Sequence, residues 1–324
     1  MALTNFSNGV ASFGIPVYGP AIGLNQILTG NVWFVNTSAT GGGIDSLSGG
    51  NGQSMAAPFK TLAFAITSAT ANNNDYIYIA QGSTITISSA TSLLLNKAGI
   101  TIIGLGNGAS RPLFNYTTAN TATIPVSADN IVVQNCRFSA NFLSIATAFT
   151  VSTAKHFILD NNLFFDTTSI LNFLTIVQTT GAANTADGLT LTNNVWRGLG
   201  TTSVGSMILS ANDIDRPLWN NNTVTLARTA TAPALATITA GALTNLQCVA
   251  NITSTQQTVT TTGALIGVPG VTSTGLVANN FCGTLQPTSA SNLLVTAGTK
   301  LAYVLNYTSG AADKSGMLVP VAFT

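Results

Sequence analysis

The stretch that decides the fold is Ile131-Val-Val-Gln-Asn135-Cys-Arg-Phe, a run of alternating apolar residues closed by asparagine. The same run returns at Phe157-Ile-Leu-Asp-Asn161-Asn-Leu-Phe-Phe, Leu189-Thr-Leu-Thr-Asn193-Asn-Val-Trp and Pro217-Leu-Trp-Asn220-Asn-Asn-Thr-Val. Shorter copies follow at Cys248-Val-Ala-Asn251-Ile, Leu276-Val-Ala-Asn279-Asn-Phe-Cys and Tyr303-Val-Leu-Asn306-Tyr, and a degenerate first copy stands at Ile100-Thr-Ile-Ile-Gly-Leu-Gly. Successive Asn anchors (135, 161, 193, 220, 251, 279, 306) are separated by 26, 32, 27, 31, 28 and 27 residues. That period is one rung of a parallel β-helix, whose short strands stack on the rung below at about 4.8 Å. Asparagine suits the repeated point twice over. It tolerates the left-handed backbone of a sharp corner, and its amide can bond to the asparagine stacked above and below. The sequence therefore predicts an all-β, right-handed parallel β-helix of about eight rungs, with Asn135, Asn161, Asn193, Asn220, Asn251, Asn279 and Asn306 as a structural ladder.

Outward from the repeats, Pro58-Phe-Lys-Thr-Leu-Ala-Phe-Ala-Ile-Thr-Ser-Ala-Thr places Leu62, Ala65, Ile66 and Ala69 on one face. It reads as an amphipathic helix over 58–70 with Pro58 at its first position, laid across the open end of the β-helix as a cap. Residues 31–99 thus form a lead-in containing this helix, and 100–324 the rungs and C-terminal cap. Residues 1–30 form an arm without charge that carries Phe6, Val10, Phe13, Ile15, Pro16 and Tyr18 among Gly and Pro. Such a segment is too small for a core of its own and too apolar for a solvated tail, so it lies on its own β-helix or binds another protein.

Composition narrows the chemistry. Only 6% of the 324 residues are charged, the net charge is +1, there is no Glu, and His156 is the sole histidine. The nine acids are Asp45, Asp75, Asp129, Asp160, Asp166, Asp187, Asp213, Asp215 and Asp313. A balanced, sparse charge gives no electrostatic basis for a nucleic-acid partner or an acidic membrane. Despite a mean hydropathy of +0.40, no run approaches the roughly 18 apolar residues of a spanning helix. The first 30 residues lack the charged start of a signal peptide, so a soluble protein assembled in a cytoplasm is expected. Cys136, Cys248 and Cys282 are too few and too scattered for a disulfide framework or a zinc site, and read as buried, reduced thiols.

Many right-handed β-helices act on polysaccharide. A glycosidase pair needs two carboxyl groups about 5 to 9.5 Å apart. Asp160 is flanked in its column by Gln134 and Thr192, which supply no second carboxylate. Asp213 and Asp215 are the one tight acidic pair, open to a Ca²⁺ or catalytic role but read as a turn with Arg216 as counterion. His156 has no second ligand nearby. Trp196, Trp219 and Arg197 would make a sugar-stacking strip if they faced outward, against the simpler reading of packing. The expectation is a chain that is not an enzyme and takes no metal or cofactor.

One resemblance bears on function. Thr4-Asn-Phe-Ser-Asn-Gly-Val-Ala-Ser-Phe-Gly-Ile-Pro16, Gly30-Asn-Val-Trp-Phe-Val-Asn, Pro58-Phe-Lys-Thr-Leu and Thr101-Ile-Ile-Gly-Leu-Gly-Asn-Gly together resemble β-helix virion proteins of tailed bacteriophages, of the kind that decorate the capsid. The resemblance covers the first 140 residues and implies a homotrimer on the virion surface, held to the major capsid protein by the arm residues Phe6, Val10, Phe13, Ile15, Pro16 and Tyr18. A tailspike or fibre module that binds or cleaves host glycan is the alternative, and a cell-surface adhesin a third.

Overall fold

The computed structural model describes residues 30–38, 42–201, 205–227, 233–255, 265–268, 272–284 and 300–308, with the backbone of 11–12 and 15–16. Three parallel sheets form the faces of a solenoid. A first face of ten strands runs from Val32–Val35 to Lys300–Val304, a second of nine from Thr84–Ile87 to Tyr307–Thr308, and a third of six from Ile124–Val126 to Ile266–Gly267. Each strand pairs with the strands one rung before and after it, so Val132–Gln134 lies between Ile100–Gly104 and Ile158–Asp160. This is an all-β parallel solenoid of about seven turns that matches the right-handed β-helix.

Strand residues alternate inward and outward, and β-branched and aromatic side chains fill the inward places because they pack well on a pleated surface. One continuous core runs from Trp33 to Leu301. On the second face, Phe114, Phe138, Phe164, Trp196, Val224, Thr253 and Cys282 occupy a single inward column. Phe138 stacks between Phe114 and Phe164 with ring centroids 4.7 Å from each. On the first face, Ile77, Ile102, Val133, Leu159, Leu191, Trp219, Cys248 and Val277 form the matching column. All three thiols are reduced and buried in this packing. Burial pushes the Cys136 and Cys282 thiols up to about 12.

The helix expected over 58–70 is shorter: α1 spans Leu62–Ser68, with Thr61 as N-cap accepting from Phe64 N. Pro58 is not its first residue. Phe59 is instead extended, bridged to Val35 and stacked on Trp33 at 5.4 Å, and burying that ring delays the helix start by a turn. Asp45 fixes the start by accepting from Lys60 N and Thr61 N, each at 2.9 Å. The buried face of α1 (Leu62, Ala65, Ile66) packs on the core beside the first strands. In the arm, Ala11–Ser12 pairs antiparallel with Ile15–Pro16. Phe6, Val10, Phe13 and Tyr18, and the side chains of Ile15 and Pro16, lie outside the described residues.

Candidate functional site

Two of the three corners of the solenoid carry its polar chemistry. At the corner between the first and second faces, the two tasks assigned to one asparagine fall on consecutive residues. The left-handed position is held by Asn135, Asn161, Asn193, Asn221, Ala250, Asn279 and Leu305, all with φ between 48° and 59°. The residue after it points inward, and from Asn162 onward forms the ladder: Asn162, Asn194, Asn222, Asn251, Asn280 and Asn306, all buried. Asn222 shows the bonding. Its Oδ1 accepts from Asn194 N and Nδ2, each at 3.1 Å, and its Nδ2 donates to Leu191 O at 2.8 Å and to Asn251 Oδ1 at 3.0 Å. Cys136 holds the ladder position on the first of these rungs and bonds through its N–H to Asn162 Oδ1.

Of the expected ladder, Asn251 and Asn306 lie in this buried row. Asn135, Asn161, Asn193 and Asn279 are corner residues, where Asn161 Nδ2 donates to Asn135 Oδ1 at 3.2 Å as the stacked ladder expects, and Asn220 ends its strand and accepts from Val249 N. The correction has a simple cause: the left-handed residue's side chain points outward at the corner, so it cannot also enter the core. The doubled Asn-Asn at 161–162, 193–194 and 279–280 was the signal that could have separated the two columns.

A second left-handed column stands where the chain returns to the first face: Asn74, Gly99, Asn130, His156, Gly188, Arg216 and Asn245. A chain of charged side chains runs beside it. Asp129 Oδ1 accepts from Lys155 N, Lys155 Nζ lies 3.5 Å from Asp187 Oδ2, and Asp187 Oδ1 accepts from Asp215 N. Asp215 in turn takes Thr244 Oγ1 and Asn245 Nδ2, with Arg216 Nε at 2.9 Å. Bonds from Asn245 and Thr244 hold the Asp215 carboxyl below its usual range. Asp213 accepts from Ala242 N. The Asp213/Asp215 pair is therefore engaged in shaping corners. His156 adopts φ 56°, and its ring packs against Gly188, where a Cβ would come within 2.3 Å of His156 Cδ2. Its Nδ1 lies 3.2 Å from Asn130 Oδ1.

Two further carboxylates, Asp75 and Asp166, are buried. Asp166 ends its strand and accepts from Phe173 N, Leu199 N and Gly200 N, tying together the bulging loops of two rungs. Burial raises its carboxyl to about 6, against the lowering effect of those backbone bonds. Asp75 accepts from Thr70 N, Asn31 N, Asn73 Nδ2, Asn31 Nδ2 and Trp33 Nε1. Burial alone would raise Asp75, but these donors outweigh it and hold the carboxyl below its usual value. Each stands at a strand position that a neighbouring rung fills with an apolar residue, Ile100 beside Asp75 and Ala140 beside Asp166, so no recurring polar residue marks it.

Trp196 and Trp219 do not form a surface strip. Both are fully buried, in inward columns of different faces. Outward on the second face, Phe165 stands beside Arg197 in register, with Ser139 on its other side. Asp160 lies outward on the first face and bonds Gln134 Nε2, Thr192 Oγ1 and Asn193 Nδ2.

No protein-family model and no curated protein matches the chain. Among solved structures it is similar to a rhamnogalacturonan lyase, with 13% identity, a TM-score of 0.46 and 90% of each chain covered. The sequence reading excludes an enzyme, and this likeness overturns the exclusion, since the similar structure is itself named for an enzyme.

Proposed function

We propose that this chain is a structural component of a bacteriophage virion that decorates or cements the capsid surface, a β-helical rod attached through its N-terminal arm to the major capsid protein and assembled as a homotrimer in the host cytoplasm. The observation that carries the reading is the deployment of polar groups. Ladder amides and the carboxylates of Asp45, Asp75, Asp166, Asp187 and Asp213 accept or donate within the chain, binding one rung or loop to the next. A rod so cross-braced suits a shell component that must resist pressure and heat. Its apolar arm suits attachment by many copies at once, where modest single contacts sum to a strong hold.

The arm motif that resembles phage capsid decorations, Thr4 to Pro16, supplies the partner. The test is co-sedimentation with purified capsid shells that lack decoration. The full chain is expected to pellet with shells in stoichiometric amount, and a Phe6→Asp/Phe13→Asp variant to stay in the supernatant. Equal pelleting of both, or of neither, removes the arm as anchor. A second reading, a glycan-directed β-helix, is favoured by the outward pairing of Phe165 with Arg197, an aromatic face beside a hydrogen-bond donor. Sugar release from host surface glycan, abolished by Phe165→Ala, would put it first.

A further inference from the structure

Three of the five arginines, far apart in sequence, are brought to the outside of the second face. Arg137 stands outward between Leu113 and Leu163 of the neighbouring rungs, and Arg197 stands outward beside Phe165. Arg111 precedes Leu113 by two residues, at the corner that opens this face. Its Nη1 donates to Asn161 O at 2.9 Å, so its side chain reaches along the corner past the rung of Arg137 to the rung of Leu163. Among the described residues, the side chains of Arg137 and Arg197 make no ion pair and no hydrogen bond, and the Nε atoms of Arg111 and Arg137 are buried without partners. The cations at the other charged corner differ: Lys155 faces Asp187 and Arg216 faces Asp215.

The face offers these arginines no carboxylate. In its strands from Leu113–Tyr116 to Ile252–Thr255, every outward position is neutral or arginine, and Asp166 points inward. Asp160, just before the corner, already accepts from Gln134, Thr192 and Asn193. A guanidinium whose Nε has lost water and found no acceptor carries a desolvation cost that only an acceptor from outside the fold can offset. The rungs set the spacing. Arg137 and Arg197 stand two rungs apart, roughly 10 Å along the rod, and half-buried Phe165 occupies the rung between them.

We infer that the outward second face, from Arg111 through Arg137 and Phe165 to Arg197, binds an acidic polysaccharide laid along the rod, with carboxylates on the guanidinium groups and a sugar ring on Phe165. The planar fork of arginine matches a carboxylate with two parallel hydrogen bonds. The phenyl ring gives the apolar side of a sugar a surface to cover. Charge spacing selects this polymer among polyanions. An acidic polysaccharide sets its carboxylates one or two rings apart, which suits cations two rungs apart. A nucleic-acid strand carries a phosphate about every 3.4 Å and would leave most of them unmatched. The inference develops the glycan-directed reading of Phe165 and Arg197 and concerns binding alone, so binding without sugar release would remove cleavage and keep the site. Capsid attachment does not enter it.

The experiment is titration calorimetry of the full chain with three probes: alginate, its uncharged hydroxypropyl ester, and single-stranded DNA, with folding followed by circular dichroism. Alginate is expected to bind, more weakly as salt rises, and the ester about tenfold less tightly. Arg197 is exposed, so Arg197→Gln is expected to stay folded and to weaken alginate about tenfold. Arg197→Lys keeps the charge without the fork and should fall between parent and Arg197→Gln. Arg137→Gln should lower affinity further when added to Arg197→Gln. Lys155→Gln, at a paired cation on a different corner, should leave binding unchanged. A parent that does not bind alginate overturns the inference, as does equal binding of the ester. Tighter binding of DNA than of alginate, or a loss in Lys155→Gln equal to that in Arg197→Gln, overturns it as well.

Discussion

Neighbouring residues at the asparagine corner should respond differently to the same substitution. Asn222→Ala removes the acceptor of the buried Asn194 N and a donor to Leu191 O. The expected cost is about 3 kcal/mol. Asn221→Ala loses only the tolerance for a left-handed backbone, at about 1 kcal/mol, since Ala250 already occupies that position on a later rung. Urea denaturation of the two variants separates them, and equal losses would deny the division of roles. Asp166 gives a second test, through pH. Its folded carboxyl titrates near 6 against an ordinary 3.8, so between those values the folded chain keeps a proton that the unfolded chain has released. Its contribution to stability therefore falls as pH rises through that window. The melting temperature of the parent relative to Asp166→Asn should drop from pH 4 to pH 6.5, and a flat or rising difference would contradict the assignment. Asp75, held low, behaves oppositely: its support is present above about pH 4 and lost as pH falls below it. The left-handed asparagines were legible because they recur at one period. The ladder asparagines were half hidden beside them, and Asp75 and Asp166, which occur once each, carry no period at all.

The elements follow from how their inward columns pack. The Phe114, Phe138 and Phe164 stack leads to Trp196, the bulkiest residue of the second-face column, which then narrows through Val224 and Thr253 to Cys282. Phe138→Ala should cost about 3 to 5 kcal/mol, because rings on both sides hold the cavity open. Calorimetry would show it, and a loss below 1 kcal/mol would mean that the stack collapses around the gap. Strand positions were legible in the sequence because alternation and the Asn period agree. The helix start was misplaced because Pro58 is a strong local signal, yet burial of Phe59 against Trp33 outweighs it and hands the cap to Thr61. Thr61→Ala is expected to cost about 1 kcal/mol through the lost bond to Phe64 N. The tryptophans were ambiguous for a related reason: one step along a strand reverses a side chain, and only the register puts Trp196 and Trp219 inside.

At the scale of the molecule, the chain is a rod with paired charge beside one corner of its middle rungs, an uncharged apolar sequence before residue 30 and a sequence free of charge from 229 to 299. The first two divide the proposed work into bracing and attachment. The architecture was readable from periodicity, whereas the partner was not, because an apolar arm specifies stickiness and no shape. The most direct measurement is electron cryomicroscopy of capsid shells incubated with the full chain. Ten stacked strands on the first face, spaced at roughly 4.8 Å, make a rod of roughly 43 Å. The account predicts density of that length at regular sites on the shell, with the N-terminal end of each rod against the major capsid protein. Bare shells at saturating protein, or rods bound by their C-terminal end, would contradict it.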